Sequence, residues 1–182
     1  MGSVILIGRV AKYWLGACYK QFVLLCVLFL VGNSAIAQGV EEKLKVAYLA
    51  NIASFVKWSD SPQNVGLCVS DSSRLCLSLR QLDKYVLGED RMISLIVNPD
   101  SMARCHMAFS DDDSSAVFVQ KILAASGRIL SISDTPQALL KGHRVQFFVR
   151  NLRLRFAIDT QALERTDYKI SSKLLRLSRQ LD

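Results

Sequence analysis

Histidine and proline are scarce in this sequence, which has two histidines and three prolines among 182 residues. It also lacks a G-x-S-x-G nucleophile elbow, a glycine-rich phosphate loop and an H-E-x-x-H zinc motif, on which many hydrolases, nucleotide-binding enzymes and metalloproteases are built. We interpret His106, within an apolar segment, as structural, and His143, after Gly142 in a predicted turn, as a surface residue. The sequence therefore argues against an enzyme, and we expect no catalytic residue, cofactor or metal site.

Three consecutive aspartates, Asp111 to Asp113, have the oxygen ligands that a hard cation prefers. Consecutive side chains at the start of a helix point in different directions, however, and acidic residues there cap the helix and complement its dipole. We interpret these aspartates as a helix cap.

Long apolar runs are also missing. The uncharged run at Phe22–Val31 is about half of the roughly 20 residues that a membrane-spanning helix needs. Three basic residues precede it, and the small-residue site Ala35-Ile36-Ala37 follows it, which is the pattern of a secretory signal. We expect residues 1–37 to be a cleaved signal peptide. Residues 38–182 would then form one domain in the periplasm, without membrane insertion after cleavage.

Two alternatives to signal cleavage were weighed. An uncleaved membrane anchor is disfavoured by the short apolar run. The segment Leu15-Gly16-Ala17-Cys18 is similar to a lipoprotein cleavage box, but Lys12 interrupts the apolar residues before it.

The net charge is modestly basic. Its formal value is +7, and loss of three basic and no acidic residues with the signal peptide would leave +4. An exported protein does not meet chromosomal DNA, so a nucleic acid is not an expected partner. We interpret the basic residues of the second half of the chain as solvated faces, with an anionic membrane surface or an acidic partner as the alternatives.

The segment KVAYLANIASFVKW lies in a helix predicted over residues 43–58, with apolar side chains around about half of its circumference. So wide a stripe exceeds that of a helix lying on one surface. We therefore expect a sheet on one side and a second helix or another subunit on the other. Ser59 to Pro62 would end the helix.

Short apolar segments then alternate with predicted helices, which indicates right-handed crossovers and a parallel sheet. The predicted strands are residues 65–70, 92–97, 105–109 and 128–133. Three helices are predicted between these strands. The first begins at Ser72 or Ser73 and ends at Gly88, the second begins within residues 111–114 and ends before Gly127, and the third spans residues 135–140.

Residues 145–149 and 152–158 are too close together for a crossover helix, so they predict an antiparallel hairpin with a positive φ at Asn151. A last helix would start at Ser171 or Ser172. The predicted fold class is α/β: a single domain with a mainly parallel sheet of about six strands, helices on both faces and a C-terminal antiparallel hairpin.

In this order, the segments KVAYLANIASFVKW, GLCV, ARCHMAF, ILSISD, RFAID and SSKLLRLSR resemble the YfiR-like family of exported bacterial regulators, over Glu42 to Arg179. The resemblance implies a periplasmic repressor, often a homodimer, that binds the periplasmic region of a membrane-bound diguanylate cyclase in cyclic-di-GMP signalling and biofilm control. Redox state or envelope stress would relieve the inhibition. The cyclase's own GGDEF-type signature is missing here.

Two features differ from the family pattern. Ser59 replaces a proline after the tryptophan, and a second cysteine pair of some relatives, near the last two strands, has no counterpart. A regulatory role of that second pair is therefore not carried over.

Three cysteines remain in the predicted mature chain, so an oxidising compartment predicts one disulfide and one thiol. The resemblance implies a bridge between Cys68 and Cys105, and two strands of one sheet can bring Cα atoms to the distance that a disulfide requires. Cys76, among leucines on a predicted helix, is interpreted as a buried free thiol.

Partner binding is expected in the late half of the chain. Ile158 and Leu163 are candidate apolar contacts, and Arg153, Arg155 and Arg165 would steer the approach of the partner. The alternative for both apolar residues is a place in the core. An alternative function is a periplasmic small-molecule-binding or sensor-accessory protein, acting on a membrane receptor or kinase, with its ligand at the carboxyl edge of the sheet.

Overall fold

The computed structural model describes residues 39–88 and 91–179. The fold set out below is that of the compact unit that begins at Glu42, and of the unit before it only residues 39–41 are described, as helix. The predicted signal peptide and its alternative cleavage site at Cys18 lie outside the described residues.

A seven-stranded sheet forms the centre of the described structure. The strands of the described residues are β1 (Val56–Trp58), β2 (Asn64–Val69), β3 (Val86–Leu87), β4 (Arg91–Val97), β5 (Met107–Ser110), β6 (Leu130–Ser133), β7 (Val145–Arg150), β8 (Arg153–Ile158) and β9 (Tyr168–Ile170). The strand order in the seven-stranded sheet is β3-β4-β2-β5-β6-β7-β8. The pairs β2–β4, β2–β5, β5–β6 and β6–β7 are parallel, whereas the edge pairs β3–β4 and β7–β8 are antiparallel.

Helices cover both faces of this sheet. They are α1 (residues 39–54), α2 (Cys76–Leu79), α3 (Ala116–Ala124) and α4 (Ser172–Arg179). Alternate residues of the strands, such as Leu67, Phe109 and Phe147, form one core cluster with buried residues of α1, α2 and α4. The intervening residues Cys68 and Ala108 join a second cluster with α3. The period of two is that of strands buried on both faces, and the predicted α/β fold class is confirmed.

The first helix is shorter than predicted. It ends at residue 54, and Val56–Trp58 forms β1, which pairs antiparallel with β9 in a separate two-stranded sheet. In α1, Leu49 and Ala53 are fully buried, whereas Leu44 is 45% exposed. The prediction of a helix to Trp58 was wrong because pairing with residues more than 100 positions later outweighs the helical pattern of these three residues.

Two other predicted helices are also reduced. The one before Gly88 consists of α2 and a 3-10 turn at Arg80–Leu82, after which Val86 and Leu87 pair with β4 as an edge strand. Residues 135–140 form turns only, with a positive φ of 59° at Gln137. A non-glycine residue in this conformation interrupts the helical hydrogen-bond ladder.

The predicted hairpin has a two-residue turn. Asn151 (φ 53°) and Leu152 (φ 59°) lie between the paired residues Arg150 and Arg153. Two successive positive φ angles give the type I′ turn that matches the twist of the flanking strands. The positive φ predicted for Asn151 is present, and Leu152 adopts one as well.

Candidate functional site

A disulfide joins Cys68, on β2, to Cys105, which lies two residues before the start of β5. The two strands are parallel neighbours, with Cys68 opposite Ala108, and the Cα atoms of the cysteines are 5.7 Å apart. Both cysteines lie in the core cluster beneath α3, next to Met102, Phe118 and Ile122. Cys76 is a buried free thiol in the other cluster. The bridge therefore crosslinks the middle of the sheet, with both cysteines buried.

The backbone around the bridge is closely packed. A Cβ atom on Gly66 would lie 2.0 Å from the backbone oxygen of Arg104, so this site on β2 accepts no larger residue. The amide of Gly66 donates to Nδ1 of His106 over 2.9 Å. Because Nδ1 accepts this bond, the neutral ring carries its proton on Nε2, which faces Asp60 Oδ2 at 3.2 Å. His106 thus holds the segment that follows Cys105, which fits its interpretation as a structural residue.

Trp58 packs beside this segment. Its indole Nε1 donates to the carbonyl of His106 over 3.2 Å, and the two rings meet edge to face with centroids 5.8 Å apart. A cavity of about 270 Å³ lies here, with Asp60 and Arg128 on its walls together with Trp58 and His106. The polar neighbours of the disulfide therefore come from β1 and from the entrances to β5 and β6.

His143 is buried, and its interpretation as a surface residue was wrong. It is 2% exposed, and its Nδ1 atom has no hydrogen-bond partner within the described structure. Burial, together with the positive charge of Lys141, lowers the pKa of His143 to about 4. The turn at Gly142 (φ 97°) directs the chain inward, where the amide of His143 donates to the carbonyl of Ala138.

The aspartate run does not cap α3 in the way that we expected. Ser115 is the N-cap residue, and its hydroxyl accepts from the amide of Phe118. Asp111 is buried and accepts hydrogen bonds from the Ser73 hydroxyl (2.7 Å), the Arg74 amide (3.0 Å) and the Ser114 hydroxyl (2.8 Å). It therefore ties the ends of β2 and β5 together. No group of three or more potential metal-ligating side chains occurs in the described part of the chain.

The five candidate partner-binding residues occupy different environments. Ile158 ends β8 and Leu163 lies in a 3-10 turn, and both are partly buried against the main core cluster. Arg153 and Arg165 are exposed, whereas Arg155 is half-buried. These positions do not test partner binding, which stays a prediction.

One polar cluster was missed by the sequence reasoning. Arg144, Asp159 and Arg165 line a cavity of about 420 Å³ where β7 begins and where the chain passes from β8 to β9. Tyr168, on β9, is fully buried next to Arg144 and Asp159. Arg144 and Asp159 face each other one residue beyond the β7–β8 ladder, so the predicted hairpin already contained the signal for this pair. Tyr168 joins them through β9, which the sequence pattern did not reveal.

One comparison with known proteins identifies a family for this chain. A model of the YfiR/HmsC-like family matches residues 42–179, well over half of the chain. No curated protein gave a significant match. None of the helices in the described ranges has the length and hydropathy of a membrane span. The extent of the match confirms the resemblance identified from the sequence segments, and the chain belongs to the YfiR/HmsC-like family.

Proposed function

We propose that this protein is a periplasmic, non-catalytic regulator that binds and inhibits the periplasmic region of a membrane-bound diguanylate cyclase, and so restrains cyclic-di-GMP signalling and biofilm formation. The match to the YfiR/HmsC-like family over residues 42–179 is the observation that carries this proposal. The signal-like pattern of the first 37 residues supports export, with cleavage before Gln38. No cofactor is needed for such a function.

The proposed binding surface includes the outer side of the β7–β8 hairpin. Its turn exposes Leu152 almost completely (98%), although a leucine at positive φ is unfavourable and this side chain contributes nothing to the core. We include Leu152 in the proposed surface as a candidate apolar contact. Arg153 and Arg155 follow it on β8, an edge strand of the sheet, and would steer an acidic partner.

Ile158 and Leu163 remain candidate contacts through the part of each side chain that the core leaves exposed. Arg165, in the same 3-10 turn as Leu163, would add to the electrostatic attraction. Because Leu163 packs against the core, replacing it with aspartate would lower stability as well as binding. Arg153, which is exposed, and Arg155, which is half-buried, lie outside that core cluster and are therefore the better residues to test.

Redox control would act through the disulfide between Cys68 and Cys105. Its reduction would loosen the centre of the sheet and relieve inhibition of the cyclase, while Cys76 would remain a buried thiol throughout. We further propose that the exported protein is a homodimer, which light scattering on the purified mature chain would test.

The proposed function is tested in cells that express the candidate cyclase. Cyclic-di-GMP is measured in these cells with and without co-expression of this chain. We expect the chain to lower the nucleotide level and to co-purify with the cyclase. Charge reversal at Arg153 and Arg155 together should weaken both effects. The control is Arg176→Glu, which reverses an exposed charge on α4. Unchanged nucleotide levels in the presence of a folded, exported chain would contradict the proposal.

A further inference from the structure

The cavity between Arg144 and Arg165 has the size of a small-molecule site. Its volume is about 420 Å³, and Asp159, Gln161 and Ala162 complete its lining. Ligand pockets in proteins range from roughly 300 to 1,000 Å³. The cavity lies where β7 begins, at the edge of the sheet opposite to the carboxyl ends of the parallel strands. It adjoins a second cavity, and Arg165 lines both.

The guanidinium of Arg144 interacts with the Tyr168 hydroxyl and otherwise makes only long contacts among the described residues. Its Nη1 and Nη2 atoms donate to Gly142 O and Ser126 Oγ, each over 3.4 Å, and the nearest carboxylate oxygen, on Asp159, is 3.9 Å away. Its Nε atom is buried and has no partner in the described structure. A charge-assisted bond from arginine to an oxyanion is normally 2.7–2.9 Å long and frequently bidentate. Arg144 therefore retains much of its capacity to bind an anion.

A second polar group beside Arg144 is also unsatisfied. The Tyr168 side chain is 2% exposed, and within the described residues its hydroxyl makes no hydrogen bond of ordinary geometry. Burial raises the pKa of Tyr168, although the nearby Arg144 guanidinium acts in the opposite direction. The Tyr168 hydroxyl thus stays neutral; Tyr168 does not line the cavity and bears on it through its contact with Arg144. Buried polar groups are rarely left without partners unless a function or a bound molecule accounts for them.

The charges around the cavity permit an anion. Arg144 and the exposed Arg165 contribute two positive charges to its walls, against one negative charge from Asp159. Asp159 is partly committed to the backbone, because its Oδ1 accepts from the amide of Ala162 over 3.2 Å. The adjoining cavity adds Arg128 and Asp167, which offset each other. The net charge facing a ligand is therefore positive.

We propose that the cavity bounded by Arg144 and Arg165 binds a small molecule through a carboxylate or phosphate group. The guanidinium of Arg144 would donate to two oxygens of that group, and Arg165 would close over it from the surface. Asp159 would limit the affinity by repelling the anion. The proposal does not depend on the proposed cyclase partner, since binding is measured on the isolated protein.

Backbone amide chemical shifts of the mature protein, measured during titration with inorganic phosphate and separately with succinate, test the proposal. Sodium chloride keeps the ionic strength constant, so general screening is matched. We expect saturable shifts at Gln161 and Ala162 for at least one of the two probes. The probe that binds identifies the group, phosphate or carboxylate, that the site takes.

Three variants decide the outcome. Arg165→Gln, at an exposed position that the fold does not need, should weaken binding roughly tenfold, as expected for the loss of a hydrogen bond to a charged group. Asp159→Asn keeps the oxygen that accepts from Ala162 and should tighten binding. Arg176→Gln, on α4, should leave it unchanged.

Saturation and an unchanged affinity in Arg176→Gln distinguish a local site from general surface attraction, which the loss of any exposed positive charge would weaken. Absence of saturable shifts for both probes would overturn the proposal. So would equal affinity in the wild-type protein and Arg165→Gln, or weaker binding in Asp159→Asn. Arg144→Lys, which keeps the charge but loses the bidentate geometry, should also bind more weakly if it folds.

Discussion

Removal of the Cys68–Cys105 bridge should destabilise the domain substantially. The bond closes a loop with a sequence separation of 37 residues. The chain-entropy estimate for a loop of this length is about 4 kcal/mol at 25 °C. Strain and residual structure in the unfolded chain reduce the measured value, so this is an upper figure. It is nevertheless a large fraction of the roughly 5–15 kcal/mol that stabilises a typical domain.

Urea unfolding of the mature protein, with and without a phosphine reductant, measures this contribution. Trp58 is a suitable probe, because it is the only tryptophan after the predicted signal peptide, and it is 5% exposed beside the segment that follows Cys105. With an m value of about 2 kcal/mol per molar urea, a loss of 4 kcal/mol lowers the midpoint by about 2 M. Reduction should be slow in native buffer, since both sulfur atoms are buried, and faster in moderate urea.

Cys76→Ala is the matched control for this experiment. It removes the third thiol of the predicted mature chain from the other core cluster and costs only the packing of one sulfur atom. The midpoint shift on reduction should persist in this variant and disappear in the double variant Cys68→Ala/Cys105→Ala. Equal midpoints for oxidised and reduced wild-type protein, or a peptide map with Cys76 in a disulfide, would refute the reasoning.

Two further predictions concern single residues. His143 has a pKa of about 4 in the folded protein and about 6.5 when unfolded, so below pH 6.5 the unfolded state takes up a proton that the folded state does not. The unfolding free energy of the wild-type protein should therefore fall by about 2 kcal/mol more between pH 7 and pH 5 than that of His143→Gln. Urea unfolding of both proteins at the two pH values measures this difference. Equal losses in the two proteins would contradict a buried, neutral His143. Leu152→Asn should raise the unfolding free energy by roughly 0.5–1 kcal/mol, because asparagine tolerates positive φ better than leucine and the exposed leucine packs against nothing. The same change should weaken binding of the cyclase. Leu140→Asn, at another exposed leucine, should change neither the unfolding free energy nor the binding of the cyclase. A destabilised Leu152→Asn protein would show that Leu152 has a structural role.

The sequence predicted the parallel part of the sheet well, because each strand there is recognisable from its own run of apolar residues. Strands such as residues 65–70 and 128–133 are short apolar runs bounded by polar residues or turns, and burial on both faces makes such runs recognisable without knowledge of their partners. The hairpin was also predictable from local sequence, because Asn151 and the close spacing of the two strands restrict the chain to a tight turn.

The elements that were missed are those whose existence depends on distant pairing. Residues 56–58 continue a helical pattern, and only the partner strand at Tyr168–Ile170 makes them extended. Strand β3 has two residues and no pattern of its own. The burial of His143 has the same origin, because a residue after a glycine turn is exposed or buried according to where the turn directs the chain. Local sequence patterns do not contain this information.

The β1–β9 pair also connects the disulfide with the cavity at Arg165. Trp58, at the end of β1, donates to the carbonyl of His106, next to Cys105. The amide of Ser59 donates to the carbonyl of Asp167 over 3.1 Å, and the amide of Asp167 donates to the carbonyl of Gly127 over 2.9 Å. Asp167 follows the 3-10 turn that carries Arg165.

These hydrogen bonds link the segment that follows Cys105 to the turn that carries Arg165. The two short strands thus have a role that their size does not suggest, since they attach the connection between β8 and α4 to the crosslinked centre of the sheet. Loss of this attachment would alter the anion cavity and the partner-binding surface together, because Arg165 belongs to both proposals.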